Sequence, residues 1–389
     1  MKTPRQRDGH LACSQMLCPP EPDGLKETGV VGTASTTEHE AMARAIALAR
    51  TPGVRTHPNP RVGAVLLDAS GVEIGSGLHR GACMPHAEVE ALAQAGDLTR
   101  GATVIVTLEP CHHTGRTGPC SEALIKAGVA RVVYGQPDPN PLASGGGTAL
   151  AAAGIEVEGG VLVAEARSLN PVWSFAMEHR RPLVTWKFAA TLDGRVAATD
   201  RTSRWISSAE SRAEVHRLRA EVDAVVVGTG TVLADDPRLT ARDKGDVPSL
   251  LQPLRVVVGE CDLPANARVL DASADTLLFA THDVSSVLDD LFARDVHHVL
   301  LEGGPTLAAA FLRADLVDQV VGYVGPRLLG AGPAVIGELA IDTISDALEL
   351  TIDDVCLVGG DIRWTARLHG SAPRFDSSPS APARTEGNS

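Results

Sequence analysis

Short β-branched runs alternate along this chain with alanine-rich runs whose apolar positions recur every three or four residues, the pattern that produces sheets covered by helices. It predicts a helix over Glu38–Arg50, a strand over Val62–Leu67, a helix over His86–Ala95 closed by Gly96 and a strand over Thr103–Thr107. A helix over Ser121–Ala127, closed by Gly128, precedes a strand over Val129–Tyr134, and a glycine turn at Ser144–Gly147 precedes a helix over Thr148–Ala153 and a strand over Ile155–Val163. Asn170, Pro171 and Arg180-Arg181-Pro182 then break the periodicity, which sets a domain boundary near Pro182. Beyond it, strands over Leu183–Ala189, Ala224–Val227, Leu254–Val258, Thr276–Ala280 and His298–Leu301 alternate with helices, one opened by Ser207 and Glu210 in capping-box spacing. The class is α/β. No internal repeat is present and the halves share no motif, so each half is expected to carry its own chemistry.

The 389 residues suit two domains with ragged ends. Residues 1–37, rich in Pro and Gly, read as a disordered extension in which Cys13 and Cys18 have no role, and residues 370–389 read as a disordered tail. The domains are then 38–181 and 182–369. Lys plus Arg number 35 against 48 Asp plus Glu, a net charge of −13 that repels nucleic acid unless a basic patch is concentrated somewhere. No apolar run is long enough to span a membrane, and the first residues lack a secretory core, so a cytoplasmic protein with no membrane partner is expected. Seven cysteines, an odd number over a long chain, point to metal ligands or reactive thiols and away from a disulfide framework.

Two of those cysteines belong to a constellation. Pro85-His86-Ala87-Glu88 opens a helix, the strand after it ends in Leu108-Glu109-Pro110-Cys111, and Cys120 starts another helix. One imidazole and two thiolates neutralise Zn²⁺ and leave a fourth position for water, the catalytic pattern. A helix start favours the Cys120 thiolate. Zinc brings the pKa of bound water down toward about 7, so hydroxide is available at neutral pH. Glu88, two residues from His86, is suited to pass the water's proton to a departing ammonia, as in zinc deaminases. His112 and His113 in the polar insert Cys111–Cys120 are competing candidate ligands.

At these residues the chain resembles the bifunctional deaminase-reductases of riboflavin biosynthesis, through His57-Pro58-Asn59-Pro60, Pro85–Glu88, Glu109–Cys120 and Asp138-Pro139-Asn140-Pro141. The resemblance continues through Lys187–Arg195, Thr231–Pro237 and Leu301-Glu302-Gly303-Gly304, and covers about residues 38–368. It implies a cytidine-deaminase-like zinc domain followed by a dihydrofolate-reductase-like domain using NADPH, acting on a small pyrimidine ribosyl phosphate, with a homo-oligomer expected. It also implies that Ala189, Trp205, Thr231 and the run from Gly304 line the cofactor, that Ser203, Arg219, Asp235, Leu239, Arg242 and Glu302 surround the substrate, and that Asn59 hydrogen-bonds the pyrimidine edge while His79 approaches a polar group of the substrate.

The residues of the second half agree only in part. Between 187 and 219, Lys187, Arg195, Arg201, Arg204, Arg212, Arg217 and Arg219 face Asp193, Asp200, Glu210 and Glu214, a local +3 that suits a phosphate-bearing ligand or, for some of them, a solvated helix face. Leu301–Pro305 leads a strand into a helix over Thr306–Arg313, and its glycines admit a phosphate at the helix start. No G-x-G-x-x-G follows a strand, so the usual dinucleotide fold is not indicated. Asp193 and Asp235 are candidate proton donors or turn formers. Two other readings fit the residues: a nucleoside or base deaminase with an unrelated appended domain, and a zinc-stabilised NADP sensor without catalysis.

Overall fold

Two sheets, one from each half of the chain, organise the computed structural model, which describes residues 34–113, 118–243, 246–368 and 372–373. Both belong to one compact unit beginning at Ala34. Residues 1–33, Cys13 and Cys18 among them, and most of the expected tail lie outside the described residues.

The first half runs α1 (Thr36–Ala49), β1 (Gly63–Leu67), β2 (Glu73–Leu78), α2 (Ala87–Ala95), β3 (Thr103–Leu108), α3 (Cys120–Ala127), β4 (Arg131–Gln136), α4 (Gly146–Ala152), β5 (Glu156–Gly159), α5 (Val163–Arg167) and α6 (Pro171–His179). Its sheet has the order β2-β1-β3-β4-β5, with β2 and β3 antiparallel to β1 and the rest parallel. Successive residues of β1 feed opposite cores: Ala64 and Leu66 pack with Ala87, Ala91 and Leu124, while Val65 and Leu67 pack with Ala41, Met42 and Ala45. That is why β1 reads as a continuous apolar run.

The second half runs β6 (Leu183–Thr191), α7 (Ala209–Glu221), β7 (Ala224–Gly228), α8 (Thr229–Asp235), β8 (Leu254–Val258), β9 (Thr276–Phe279), α9 (Val284–Ala293), β10 (His298–Leu301), α10 (Pro305–Arg313), β11 (Gln319–Gly325), β12 (Thr351–Val358) and β13 (Asp361–Arg367). The eight strands are ordered β12-β13-β11-β6-β10-β7-β8-β9; β11 through β9 are parallel, and β13 and β12 return antiparallel. Because β6 is followed by β7 on one side and β10 by β11 on the other, the crossover direction reverses there. In open α/β sheets that reversal leaves a crevice at the carboxyl ends of the strands.

Several expectations need correction. The extension ends before residue 37: α1 starts at Thr36, because Ser35 accepts the Glu38 N–H at 3.2 Å and the Glu38 carboxylate accepts the Ser35 N–H at 2.7 Å, a reciprocal cap. α7 is capped by Ser208 and not Ser207, its hydroxyl accepting the Ser211 N–H. Asn170-Pro171, read as a break, instead opens α6, where proline fits the first turn. The stretch expected as one strand over 155–163 is the short β5 followed by α5. β2 escapes the period because Gly75 and Gly77 replace apolar residues; a Cβ there would meet the Ala91 and Ala87 carbonyl oxygens at 2.5 and 2.3 Å, so glycine is what lets α2 lie on this strand. At the other end, Ala372 is buried beside Phe175 and Leu183.

Candidate active sites

Backbone termini place the reactive groups of the first half. His86 is the N-cap of α2, extended at φ −71° and ψ 159°, so its ring stands at the helix mouth while Glu88 sits in the first turn, only 4% exposed. The turn after β3 carries Cys111, and Glu109 anchors it by accepting the Gly147 N–H at 2.9 Å and the Asp138 N–H at 3.1 Å. A Cβ on Gly146 would lie 1.7 Å from the Pro110 oxygen, so α4 closes on that turn only with glycine. Cys120 is the first residue of α3, and its N–H donates to Cys111 Sγ at 3.4 Å.

His86 Nδ1 lies 3.2 Å from Cys120 Sγ and 3.7 Å from Cys111 Sγ, with all three donor atoms within 4.8 Å of one another. A tetrahedral zinc with ordinary bond lengths needs donor separations of about 3.5–3.8 Å. The donor set therefore fits zinc in number, type and spacing. The two sulfurs titrate together: the hydrogen bond between them and the nearby imidazole draw the Cys111 thiol down to about 4, whereas the same contact and burial push Cys120 up. Burial also raises the Glu88 carboxyl. Of the competing imidazoles, His112 turns its Nδ1 to the Ser121 hydroxyl at 2.9 Å, and His113 lines the cavity. Residues 114–117 of the insert lie outside the described residues.

His86, Glu88, Cys111 and His113 open into a cavity of about 370 Å³ that also meets Asn59, His79, Asp138 and, from the second half, Asp295 and His297. His79 lies 3.0 Å from the Pro85 oxygen through Nδ1 and 3.0 Å from the Asn59 amide nitrogen through Nε2. A carbonyl only accepts, so Nδ1 carries the proton and Nε2 accepts from Asn59. His79, its pKa lowered by burial, thus orients Asn59. Its ring nitrogens are both taken. Burial and the Glu109 carboxylate push Asp138 up to about 7.

A second cavity, of about 1300 Å³, lies at the carboxyl ends of β6, β7, β8 and β10. Ala189, Ser203, Trp205, Arg219, Thr231, Asp235, Leu239, Arg242, Glu302 and Gly304 all line it. At its floor Arg219 donates to both Glu302 oxygens, at 2.6 and 3.0 Å, and Lys187 to one at 3.3 Å. Burial alone would raise this carboxyl, but the two cations hold it at about 2. Arg212 stacks 4.2 Å above the Trp205 ring, Arg242 pairs with Asp246 at 2.6 Å, and the Gly304 N–H donates to Thr231 Oγ1 at 3.1 Å.

Lys187, Arg201, Arg204, Arg212 and Arg219 of the basic cluster face the cavity, whereas Arg195 donates to the Gly332 oxygen and Arg217 is an exposed neighbour of Glu214. Asp193 is a turn anchor, accepting from Thr191 Oγ1 at 2.6 Å and from the Leu329 and Gly330 N–H groups. The sequence pattern offered Lys187 only as one of several cations suited to a phosphate, and gave Glu109 no role of its own. The basic count included Lys187 and the Glu-Pro-Cys motif included Glu109, but only pairing identifies their partners.

Comparison with known proteins gives two family matches. Residues 35–136 match the cytidine and deoxycytidylate deaminase zinc-binding region, and residues 182–363 match the RibD C-terminal domain. Riboflavin biosynthesis protein RibD of Mycobacterium tuberculosis (strain H37Rv) is 48% identical over 325 residues, covering 83% of this chain and 95% of that one. Its counterpart in Escherichia coli K12 is 38% identical over 355 residues, covering 82% and 96%. Among solved structures, Acinetobacter baumannii RibD (form 1) has a TM-score of 0.73 at 37% identity, covering 85% of this chain and 98% of its own. A Thermotoga maritima structure, described as a diaminohydroxyphosphoribosylaminopyrimidine deaminase/5-amino-6-(5-phosphoribosylamino)uracil reductase, has a TM-score of 0.69 at 34% identity with the same coverage.

Proposed function

This chain belongs to the RibD family of bifunctional riboflavin biosynthesis enzymes, and from that premise we propose how its residues divide the deaminase and reductase reactions. The half running from α1 to residue 181 carries deamination and residues 182–369 carry reduction. The substrates are those in the Thermotoga neighbour's description: a diaminopyrimidinone bearing a phosphoribosylamino group, then the deaminated pyrimidine.

In the first pocket His86, Cys111 and Cys120 are the zinc ligands. Zinc held there would supply Lewis acidity, lowering the pKa of a water so that hydroxide is available as the nucleophile at neutral pH. The Glu88 carboxylate would take a proton from the attacking water and deliver it to the amino nitrogen, so that ammonia leaves as the C–N bond breaks. Asn59, held by His79, presents its amide to the polar edge of the pyrimidine. The Glu109 contacts keep Cys111 in place and carry no proton.

In the second cavity NADPH supplies the hydride. Ala189, Trp205, Thr231 and Gly304 bind the cofactor, while Ser203, Arg219, Asp235, Leu239, Arg242 and Glu302 bind the substrate. The ionised Glu302, with Arg219 and Lys187 beside it, accepts hydrogen bonds from sugar hydroxyls, and Arg242 meets the phosphate. Alignment of donor and acceptor is the protein's main contribution.

No described helix is long and apolar enough to cross a membrane. A cytoplasmic location is part of the proposal, supported by ligand thiols that need a reducing compartment. A homo-oligomer is supported by the edge strand β12, where Ile352, Val355 and Leu357 are 53, 60 and 76% exposed, the kind of edge that a second copy would cover.

The observation that carries this reading is the presence of two separate equipped cavities in one chain, one lined by His86, Glu88 and Cys111 with the buried Cys120 directly behind them and the other lined by Lys187, Arg219 and Glu302. Mass spectrometry of products from the diaminopyrimidinone tests it. Without NADPH an amino group should be replaced by oxygen with release of ammonia; with NADPH the product should gain two further hydrogens. Reduction without prior deamination, or cytidine preferred as substrate, would overturn the assignment.

A further inference from the structure

The seam between the two halves gathers three side chains that neither reaction uses. His57 opens the loop carrying Asn59, Asp223 immediately precedes β7, and His297 immediately precedes β10. One donor atom from each lies within 4.8 Å of the others. His57 Nδ1 is 3.3 Å from Asp223 Oδ1, and the two imidazole rings are 5.4 Å apart, inclined at 62°. Asp223 Oδ2 accepts the backbone N–H groups of His297 and His298, both at 2.9 Å, so the carboxylate is fixed with Oδ1 turned to His57.

A charge-assisted hydrogen bond normally closes to about 2.7–2.9 Å. A separation of 3.3 Å is instead near that of two ligands on one ion with bonds of about 2.0–2.2 Å. The ring of His297 is buried, so it is screened from bulk water on the side away from the cavity. The side chain of His57 is 50% exposed and gives an ion access from solvent. Two imidazoles with one carboxylate suit zinc and its first-row neighbours, whereas Mg²⁺ and Ca²⁺ prefer all-oxygen shells.

We propose that His57, Asp223 and His297 form a second, sulfur-free site for a divalent transition-metal ion across the seam. Its ion ties the Asn59 loop to the starts of β7 and β10. His297 also lines the deaminase cavity, so occupancy stiffens a wall of that pocket from the reductase half.

The full chain, stripped with a chelator and then dialysed against zinc, is analysed for metal beside His57→Ala, His297→Gln and Cys111→Ser, each confirmed folded by circular dichroism. Wild type should hold two zinc ions per chain, and His57→Ala and His297→Gln one each. Loading with Co²⁺ separates the sites. The sulfur-to-cobalt absorption should persist in His57→Ala and vanish in Cys111→Ser, which still binds a cobalt ion without it. If Cys111→Ser leaves the metal content unchanged, the ligand set proposed for deamination fails while the seam site stands. Equal metal content in wild type, His57→Ala and His297→Gln overturns the seam site, which is then an ordinary hydrogen-bonded contact.

Discussion

The smaller cavity and the donor cluster in its wall draw His86, Glu88, Cys111 and the buried Cys120 from a single stretch, residues 86–120, each from the start of a helix or the turn after a strand. The larger one draws Lys187, Arg219, Glu302 and Gly304 from distant segments that meet only because β6, β7 and β10 are neighbours in one sheet. The first is a tight cage in which donor type fixes the ligand. The second is a broad crevice whose central carboxylate is held ionised by two cations reaching it from other elements. Local backbone geometry can define a metal cage, whereas a crevice of this size depends on strand order.

That contrast can be broken most sharply at Glu88. Glu88→Gln should retain zinc yet lower the rate of ammonia release by about 10²–10⁴-fold, the usual contribution of a positioned proton-transfer group. NADPH-dependent reduction of pre-deaminated substrate should be unchanged; a parallel fall in both rates would mean that the cavities are not separate machines.

Glu302→Gln comes next. It leaves Arg219 and Lys187 facing a neutral amide at a site whose carboxyl side chain is 8% exposed, and breaking such a buried pair costs about 3 kcal/mol. Denaturant unfolding of the second half should report the loss together with a raised KM for the reductase substrate. Full stability would show that the carboxylate is not the keystone of the crevice.

Acid should then weaken the second half in two stages. His298, kept neutral by burial with its pKa lowered from 6.5 to about 4, contributes stability that is complete above pH 6.5 and is lost as pH falls toward 4. Glu302, lowered from 4.5 to about 2, contributes stability that is present above pH 4.5 and is lost as pH falls toward 2. Urea midpoints followed by tryptophan fluorescence should decline through both windows. A flat profile across the upper one would remove His298 from this account.

The smallest effect is expected at Asp193. Asp193→Asn should lower the melting temperature slightly, because the turn loses its best acceptor, and should leave reductase kcat within about twofold of wild type, since surface changes away from such features alter little. A large fall in kcat would restore Asp193 as a proton donor.

Much of the metal cage was legible beforehand. His86, Cys111 and Cys120 stand at element ends that apolar periodicity and glycine caps already marked, and Gly128 closes α3 in the left-handed conformation as such a residue should. The cap at Ser35 and Glu38 was equally legible and was overrun by a loose extension read too far. β2 was hidden because its glycines answer to α2 across space. β12 and β13 were hidden because charged residues interrupt them, as in Asp353-Asp354 and Arg363. Nothing in the order of residues said that His79 would spend both ring nitrogens on Pro85 and Asn59, or that His112 would turn to Ser121.

The amino-acid sequence by itself determined the alternation of strands and helices, the two halves, and the donor types available to a metal, since these depend on side-chain chemistry and on spacing along a few turns of chain. Only the tertiary structure decided which strands became neighbours. It thereby decided that Glu302 meets Arg219 and Lys187, and that His57 meets Asp223 and His297. Contacts of that kind join residues far apart in the chain, so they are set by the crossover connections and the packing of whole sheets, which local patterning does not encode.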